Sequence, residues 1–343
     1  MATLVRTANL EEDRGLLIDS IRRWLAPEAD ERRFDWLYKN GPHGQAQALI
    51  ATQGTDGPLI GAAAVFPRRM CVGNETKMGC VLGDFFILPE HRSLGPAVQL
   101  QRACLKFIQA RSIAFWFDFP GSAMLPVYKR LSIAPTDRLA RLAKLLRADQ
   151  KISQWVKAAS VTRGLSAAAN RVLAARDRRH ENGSGCDISL LEGPCGQEFT
   201  ALVSSVCGRY GIAAQRCAEY LNWRYRNHFA QRYEFLVARR EAKLLAYLVY
   251  RPDAENAEIV DLFGVHDIAV FADLINAAVA LLRKQGVFTV SLSILASHPF
   301  VTFLEKLGFR ERDSCPVILH DVSKPEGETR VAPWFLMQGD RES

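Results

Sequence analysis

Four side chains in the first part of the sequence are of types that carry proton-transfer chemistry. Asp84 lies within the apolar run Val81–Phe86, Glu90 and His91 follow that run, and Tyr128 comes further along the chain. A carboxylate or an imidazole can take a proton from an ammonium group, and a phenol can protonate a departing thiolate. By residue type, Asp84, Glu90 and His91 are therefore candidate bases and Tyr128 is a candidate acid.

Structural alternatives stand beside these roles. Asp84 has a counterpart, Asp261, in a second apolar run, which favours a shared role in bonding loop N–H groups. Tyr128 alternatively packs against its neighbours with its hydroxyl in water. His298 directly precedes Pro299 and is interpreted as a helix cap.

A glycine-containing loop follows the first apolar run. Arg92-x-x-Gly95-x-Ala97 leads into a helical pattern over Pro96–Ala110. The first N–H groups of a helix lack intrahelical partners and lie at the positive end of the helix dipole, so they can bind a phosphate. Gly95 allows close approach of the backbone, and Arg92 supplies a charged donor. The alternative is an ordinary turn between a strand and a helix.

An internal repeat divides the chain. Phe34–Asn40 and Leu221–Asn227 both read apolar, Asp or Asn, Trp, any residue, Tyr, basic, Asn. In each copy the pattern then predicts a strand hairpin, a strand with one aspartate, a helix, a buried strand and a short helix. In the first copy these elements are predicted at Ala46–Gln53, Leu59–Phe66, Val81–Phe86, Pro96–Ala110 and Ile113–Phe119.

Length and order of elements predict an α/β protein of two domains, each with a mixed β-sheet flanked by helices. A chain of 343 residues with 48% apolar residues can bury two cores. The predicted boundaries are an N-terminal domain at 1–136, a basic helical linker at 137–185 and a C-terminal domain at 186–343.

This order resembles the GNAT superfamily of acyl-CoA N-acyltransferases, in which a strand precedes P-E-x-R and an R-x-x-G-x-G/A loop. The resemblance implies two tandem GNAT-like domains, acyl-CoA (acetyl-CoA or longer) as co-substrate, and an amine or, less readily, a hydroxyl as acceptor. It implies a tyrosine acid at Tyr128 and a strand amide near Phe85–Leu88 that polarises the thioester. The residues implied to hold acyl-CoA are Phe86, Ile87, Leu88, Arg92, Ser93, Leu94, Gly95, Pro96 and Ala97.

The second copy departs from the pattern. It has no R-x-x-G in the corresponding place, and Asp267 there would repel a phosphate. We therefore expect the first copy to bind acyl-CoA, and the second to contribute shape or the acceptor site. Trp36 and Trp223 either line an acceptor groove between the copies or belong to the core.

A basic segment lies between the copies. Residues 138–179 hold eleven Lys or Arg but only Asp149 and Asp177, which makes the segment +9 in a chain of +7. The leucines among the cations of Arg138–Arg147 predict one or two basic amphipathic helices, whose apolar face continues at Trp155, Val156, Leu165 and Val172. Such a helix either binds an anionic membrane surface or links the domains. Aromatic residues are not interleaved with the charge, which argues against nucleic acid.

The acceptor is left open by the sequence. A membrane-bound helix suits a lipid such as a sphingoid base, as in N-acylation to ceramide, or a lipid-linked sugar. Trp334–Asp340 resembles a W-x-x-x-x-G-D ending of GNAT-like proteins encoded with envelope-polysaccharide genes. Two alternatives remain, which are a non-catalytic scaffold in an envelope or exopolysaccharide complex and a tRNA-dependent aminoacyl transferase.

The eight cysteines form no C-x-x-C pair, so we expect buried reduced thiols. The sequence has no cluster of ligands typical of a zinc site, and no metal is predicted. Because its apolar runs are short and no signal core begins the chain, a cytoplasmic protein is expected, with peripheral binding to the inner face of the cytoplasmic membrane as an open option.

Overall fold

The structure is a computed structural model that describes residues 3–55, 57–155, 159–178, 183–322 and 333–341. The strands of the first half are β1 (Thr3–Thr7), β2 (Gln47–Gln53), β3 (Leu59–Val72), β4 (Glu75–Ile87), β5 (Phe115–Asp118) and β6 (Asp137–Leu145). Its helices are α1 (Arg14–Trp24), α2 (Glu31–Phe34), α3 (Leu94–Ala110), α4 (Leu125–Arg130), α5 (Asp149–Trp155) and α6 (Ala159–Arg178).

The second half repeats this order. Its strands are β7 (Asp187–Leu190), β8 (Ile212–Ala214), β9 (Glu234–Arg240), β10 (Lys243–Arg251), β11 (Asn256–Gly264), β12 (Thr289–Leu295), β13 (Arg310–Asp321) and β14 (Trp334–Phe335). Its helices are α7 (Gln197–Val206), α8 (Ala218–Leu221), α9 (Ile268–Lys284) and α10 (Phe300–Lys306). The two repeated motifs form equivalent π-helical turns at Asp35–Lys39 and Asn222–Arg226.

The predicted α/β class with a mixed sheet is confirmed. The strands join in the order β1-β2-β3-β4-β5-β13-β6-β12-β11-β10-β9-β7. The pairs β4–β5 and β11–β12 are parallel, and the hairpins β2–β3 and β9–β10 are antiparallel. Helices α3 and α9 follow β4 and β11, as the repeat predicts.

The closing strands are exchanged between the halves. Strand β6 leaves the first half and pairs with β12, while β13 of the second half pairs with both β6 and β5. In β13, residues 310–317 lie against β6 and residues 318–321 lie against β5. Each half therefore completes its sheet with a strand from the other.

The helix predicted at Arg138–Arg147 is wrong, because most of it is the sheet strand β6. Its leucines have helical spacing, but a strand buried on both faces has no alternation of polar and apolar residues to reveal it. Two of its cations form ion pairs along β13, Arg138 with Glu311 and Arg141 with Asp313. The first part of the predicted amphipathic face is therefore in the sheet, whereas Leu165 and Val172 lie exposed on the helix α6.

Further along the same segment, α5 and α6 are helical, whereas residues 156–158 and 179–182 lie outside the described residues. Lys144 and Arg283 both pair with Asp177 on α6. Among the helices that the structure describes, none has the length and apolar composition to span a bilayer.

The two halves meet across a pair of stacked tryptophans. The indole N–H of Trp36 donates to the carbonyl of Trp223, and that of Trp223 donates to the carbonyl of Trp36, both at 2.9 Å. Their rings are parallel within 14° with centroids 4.7 Å apart. Since both residues are buried, the core interpretation of these side chains holds.

Two of the eight cysteines are not free thiols. Cys71, near the end of β3, forms a disulfide with Cys207, which follows α7 in the other half. The two cysteines are 136 positions apart in the sequence, so no short spacing motif predicts that they pair. The prediction of reduced thiols is wrong for these two, and the other six cysteines are free.

Candidate functional site

A cavity of about 150 Å³ opens where β4 and β5 separate. The strands pair in parallel only over residues 79–81 and 115–117. Beyond these pairs, residues 82–85 of β4 form one wall, residues 118–121 at and after the end of β5 form another, and Gln101 and Cys104 of α3 contribute a third. This cavity, between the separated ends of two parallel strands and next to α3, is the candidate site. The positions of the residues predicted from the sequence are described relative to it.

Strand β4 carries a β-bulge at the cavity. Ala62 pairs with Phe86 and Ala64 with Gly83, so Asp84 and Phe85 together oppose a single residue of β3. Asp84 has φ +44°, a left-handed conformation that aspartate tolerates better than most residues. A bulge interrupts the ladder and re-aims the backbone, which here directs it towards the cavity wall.

Asp84 is held by two donors. The guanidinium of Arg33 donates to both of its oxygens at 2.9 and 2.8 Å, and the hydroxyl of Tyr38 donates at 2.7 Å. The ion pair is almost fully buried. This geometry favours a structural role for Asp84, with side-chain donors in place of the loop N–H groups that we expected, while its role as a base stays a prediction.

The second half contains the same kind of anchor. Arg216 donates to both oxygens of Asp261 at 2.9 and 3.1 Å, and the hydroxyl of Tyr247 donates at 3.1 Å. Because the anchor is present in both halves, it does not by itself indicate catalysis.

Tyr128 lies behind the cavity wall rather than on it. Its side chain is fully buried, its hydroxyl donates to Asp118, and Gln101 Nε2 donates to the same hydroxyl at 2.8 Å. Burial first, and then the charge of Asp118, raises the pKa of Tyr128 well above its usual range. The phenol therefore keeps its proton, and its effect on the cavity passes through Asp118.

Asp118 is a cavity residue that sequence reasoning missed. It lies at the end of β5 and lines the cavity opposite Asp84. The signal was an aspartate within the predicted strand Ile113–Phe119, since the equivalent strand β12 has no acidic residue.

The loop after β4 contains the remaining candidates. Pro89–His91 forms a 3₁₀ turn in which Glu90 is exposed and His91 is half-buried. Neither side chain is among the residues that line the cavity. The roles of Glu90 and His91 as bases therefore stay predictions, and their positions outside the cavity lining do not support them.

Helix α3 begins without a side-chain cap. Ser93 occupies the N-cap position but makes no capping bond, and Leu94 is 43% exposed. A Cβ added at Gly95 would meet no atom within 4 Å. Arg92 is exposed beside this end of the helix, with its Nε 3.4 Å from the carbonyl of Ile87. The predicted phosphate seat is therefore open on its outer side.

The equivalent helix of the second half is capped. The carboxylate of Asp267 accepts a bond from the N–H of Ala269 at 2.9 Å. A protein carboxylate thus occupies the place at α9 that an anion would take, which gives the predicted degeneracy of this copy a physical basis.

The second half also fills its own strand cleft. Strands β11 and β12 pair up to residues 259 and 292. Beyond that point the C-terminal segment enters, with Leu336 accepting from Leu295 N–H and Met337 bridging to Ile294. Asp340 accepts from the guanidinium of Arg216 at 2.7 Å. The Trp334–Asp340 motif therefore has a structural role here, as a plug.

A groove of about 700 Å³ lies between the halves beside the paired tryptophans. Its walls come from equivalent positions of the two repeats: Arg32 and Glu219, Asp35 and Asn222, Trp36 and Trp223, Asn40 and Asn227, Pro42 and Phe229. Trp36 and Trp223 therefore line this groove as well as packing in the core. His298 Nδ1 accepts from Phe300 N–H at 3.2 Å, as expected of a helix cap.

Within the described part of the chain, no group of three or more His, Cys, Asp or Glu side chains is placed to hold a metal ion.

The sequence matches no protein-family model and no curated protein sequence. Solved structures do share the fold. A conserved protein of unknown function from Enterococcus faecalis, a probable N-acyltransferase, is similar with TM-score 0.68 and 14% identity over 94% of this chain and 73% of that one.

A GCN5-related N-acetyltransferase from Anabaena variabilis gives TM-score 0.69 at 12% identity, over 94% of this chain and 73% of that one. A GCN5-related N-acetyltransferase from Kribbella flavida gives TM-score 0.58 at 14% identity, over 92% and 70% of the two chains. The likeness at these identities is one of fold, so the chain has the GNAT fold.

Proposed function

We propose that the first half of the chain transfers an acyl group from acyl-CoA to an amine. The observation that carries the proposal is the cavity where β4 and β5 part, bounded by the bulge at Asp84 and by Asp118, with an open helix N-terminus above it. The names of two of the similar structures, GCN5-related N-acetyltransferases, support the same reaction class.

The carrier would lie along β4 and the start of α3. Its pyrophosphate binds the first N–H groups of the helix, at Leu94 and Gly95, with Arg92 as a charged donor. Gln101, which lines the cavity, is seven residues into the helix from Leu94, a rise of about 10 Å. A pantetheine arm laid along Phe86–Leu88 can span this distance.

The bulge supplies the chemistry at the thioester. A backbone N–H turned out of the ladder at Asp84 or Phe85 would donate to the carbonyl oxygen as negative charge develops there. One donor of this kind contributes roughly a hundredfold to a thousandfold in rate. The buried pair of Arg33 with Asp84 keeps that backbone in place.

The cavity volume favours a short acyl group. A pocket of about 150 Å³, partly open to solvent, has room for a molecule the size of benzene. An acetyl group and the reacting nitrogen fit such a space, whereas the long acyl chain of a ceramide does not. We therefore propose acetyl-CoA, or a similarly short acyl-CoA, as the donor and a primary amine as the acceptor.

Calorimetric titration with acetyl-CoA tests the proposal. Gly95 and Gly15 are each the second residue of a helix, and a Cβ at either would meet no protein atom. Gly95→Val should leave the melting temperature unchanged but weaken acetyl-CoA binding about tenfold or more, because its methyl groups occupy the space of the ligand. Gly15→Val should bind like the wild type.

Two results would overturn the proposal. If the wild-type protein binds no acetyl-CoA, the non-catalytic scaffold becomes the better hypothesis. If acetyl-CoA binds equally well to Gly95→Val, the carrier does not use the start of α3. Hexadecanoyl-CoA, titrated in parallel, should bind no more tightly than acetyl-CoA, since the cavity offers its chain no further apolar surface.

A further inference from the structure

The segment that fills the cleft of the second half continues to the wall of the cavity in the first half. The residue after this segment is Arg341, and the central carbon of its guanidinium lies over the ring of Phe119, 5.4 Å from the ring centre. Phe119 lines the cavity directly after Asp118. A cation that the second half supplies is therefore in contact with the wall of the candidate site in the first.

The guanidinium of Arg341 has no oxygen partner in the part of the chain that the structure describes. Its Nε is buried without a hydrogen bond, and no described side chain forms an ion pair with it. The contact with Phe119 attracts the positive charge but offers the N–H groups no oxygen acceptor. A guanidinium has five N–H donors and binds a carboxylate or a phosphate through two of them at once. Arg341 thus has donors available for an oxyanion.

The backbone of Arg341 is fixed by the second half. Its N–H donates to the carbonyl of Gln338 at 3.2 Å, and its carbonyl accepts from the guanidinium of Arg224. The preceding residue, Asp340, accepts from Arg216 at 2.7 Å and is buried. The side chain therefore starts from a rigid point, which lowers the entropy that is lost when it binds a ligand.

Arg341 approaches the cavity from the face of the sheet opposite α3. Along β3, Ala63 packs in one core cluster and Ala64 in the other, because successive side chains of a strand point to opposite faces. Cys104 of α3 shares the cluster of Ala63, whereas Phe119 shares that of Ala64. A carrier bound at the start of α3 would reach the cavity from one face, so the face with Arg341 is left for the acceptor.

The acidic groups near Arg341 are paired with other cations. Burial raises the pKa of Glu258, and the charges of Arg251, Arg141 and Arg341 act against this rise. Glu258 forms a salt bridge with Arg251 at 3.1 Å, and Arg141 pairs with Asp313. Of these three arginines, Arg341 is the one without a carboxylate among the described residues.

We propose that Arg341 binds an oxyanion of the acceptor, so that the acceptor is a primary amine that also carries a carboxylate or a phosphate group. The inference rests on the proposed function. With the amine in the cavity and the anion at Arg341, the acceptor site of the first half is completed by a residue of the second. The segment from Trp334 to Arg341 then both fills one cleft and sets the specificity of the other.

Matched pairs of amines test the charge. The acids 4-aminobutanoate, 6-aminohexanoate and 2-aminoethyl phosphate carry an anion, whereas butylamine, hexylamine and ethylamine provide the same chains without one. With acetyl-CoA as donor, the best anionic amine should have a kcat/KM about tenfold or more above that of its neutral match. A comparison of the phosphate with the two carboxylates then shows which oxyanion the site takes.

Arg341→Met should remove this preference for an anion. Methionine can still pack on the ring of Phe119 but donates no hydrogen bond. The loss should appear mainly in KM, since an anion held away from the reacting atoms is bound equally in the ground and transition states. The loss with neutral amines should be much smaller. Arg312→Met removes an exposed arginine of β13 and is the matched control, which should keep the wild-type preference.

Arg341→Lys is the second variant. It keeps the charge but loses the fork of donors, so it should retain part of the preference. A preference that persists in Arg341→Met, or equal losses with anionic and neutral amines, would overturn the role of Arg341.

The wild-type protein supplies a further test. If it acetylates neutral amines as well as anionic ones, or binds acetyl-CoA but acetylates no anionic amine, the inference is wrong. Failure to bind acetyl-CoA at all would instead contradict the proposed function, so the calorimetric titration separates the two failures.

Discussion

Single side chains fix the backbone where the two halves meet. The ring of His43 is buried and stacks on Tyr220 with the planes within 2°. Its Nδ1 accepts from the N–H of Arg69 at 3.1 Å, which requires that nitrogen to be unprotonated. Burial, and then the nearby charges of Arg68 and Arg69, lowers the pKa of His43 to about 3. A histidine in this state makes stability depend on pH.

The sign of that dependence follows from proton binding. In the unfolded chain this histidine binds a proton with the ordinary pKa of 6.5, whereas in the folded protein its pKa is about 3. Stability is therefore full above pH 6.5 and falls as the pH is lowered, by about 1.4 kcal/mol per unit for one such group. His228, with pKa lowered by burial to about 3, and His298, lowered by burial to about 4, act in the same direction.

His43→Asn should reduce the pH dependence of stability by the contribution of one histidine. Asparagine keeps an acceptor for the Arg69 N–H but has no titrating ring. The free energy of unfolding by urea, measured at several pH values between about 5 and 7, should fall less steeply for His43→Asn than for the wild type. An unchanged slope would mean that His43 has the same pKa in the folded and the unfolded protein.

At the scale of the elements, the two halves differ most clearly in the cleft between their parallel strands. In the first half, β4 and β5 part around a cavity. In the second, the segment from Trp334 to Asp340 occupies the corresponding space between β11 and β12. Gly339 is closely packed in this plug, because an added Cβ would lie 2.0 Å from Tyr225 Oη and 3.0 Å from the carbonyl oxygen of Val260.

Gly339→Ala should destabilise the protein by about 1–3 kcal/mol through overpacking. Adding Tyr225→Phe removes the closest atom, so the double variant should recover part of the loss, and urea unfolding measures both. Gly164→Ala is a matched control, since a Cβ there would meet nothing within 4 Å. A Gly339→Ala protein as stable as the wild type would mean that the segment does not occupy the cleft.

The elements that were predictable from the sequence are those with local signals. The hairpins have turn residues between apolar runs, and α3 and α9 have apolar residues at three- and four-residue spacing. Strand β6 was mistaken for a helix because most of its residues are buried on both faces of the sheet, and its partner strands β12 and β13 lie far away in the sequence. The bulge at Asp84 was equally invisible, since a register shift depends on the partner strand.

The same distinction holds for the site. Asp84 and the open end of α3 were predicted because a repeat and a loop motif mark them. Asp118 was missed because only the folded structure shows that it accepts a hydrogen bond from Tyr128 and that it lines the cavity. Neither relation is a spacing in the sequence.

At the scale of the whole molecule, three features tie the halves together. Strand β13 continues from β6 to β5, so each half lacks a sheet neighbour without the other. Trp36 and Trp223 exchange hydrogen bonds across the boundary. The disulfide of Cys71 with Cys207 links the same two halves covalently. The domain boundaries at 136 and 186 stay predictions, and these contacts lead us to expect that the halves fold together.

We expect the protein to unfold in one cooperative transition. Tryptophan fluorescence and far-UV circular dichroism should give coincident urea curves, because neither half can keep its sheet once the exchanged strands separate. Cys71→Ser under reducing conditions is the informative control. The urea midpoint of this variant should be lower than that of the disulfide-bonded wild type, since the cross-link no longer restricts the unfolded chain. The fluorescence and circular dichroism curves should still coincide. Two resolved transitions in this variant would mean that the disulfide, rather than the exchange of β6 and β13, couples the halves.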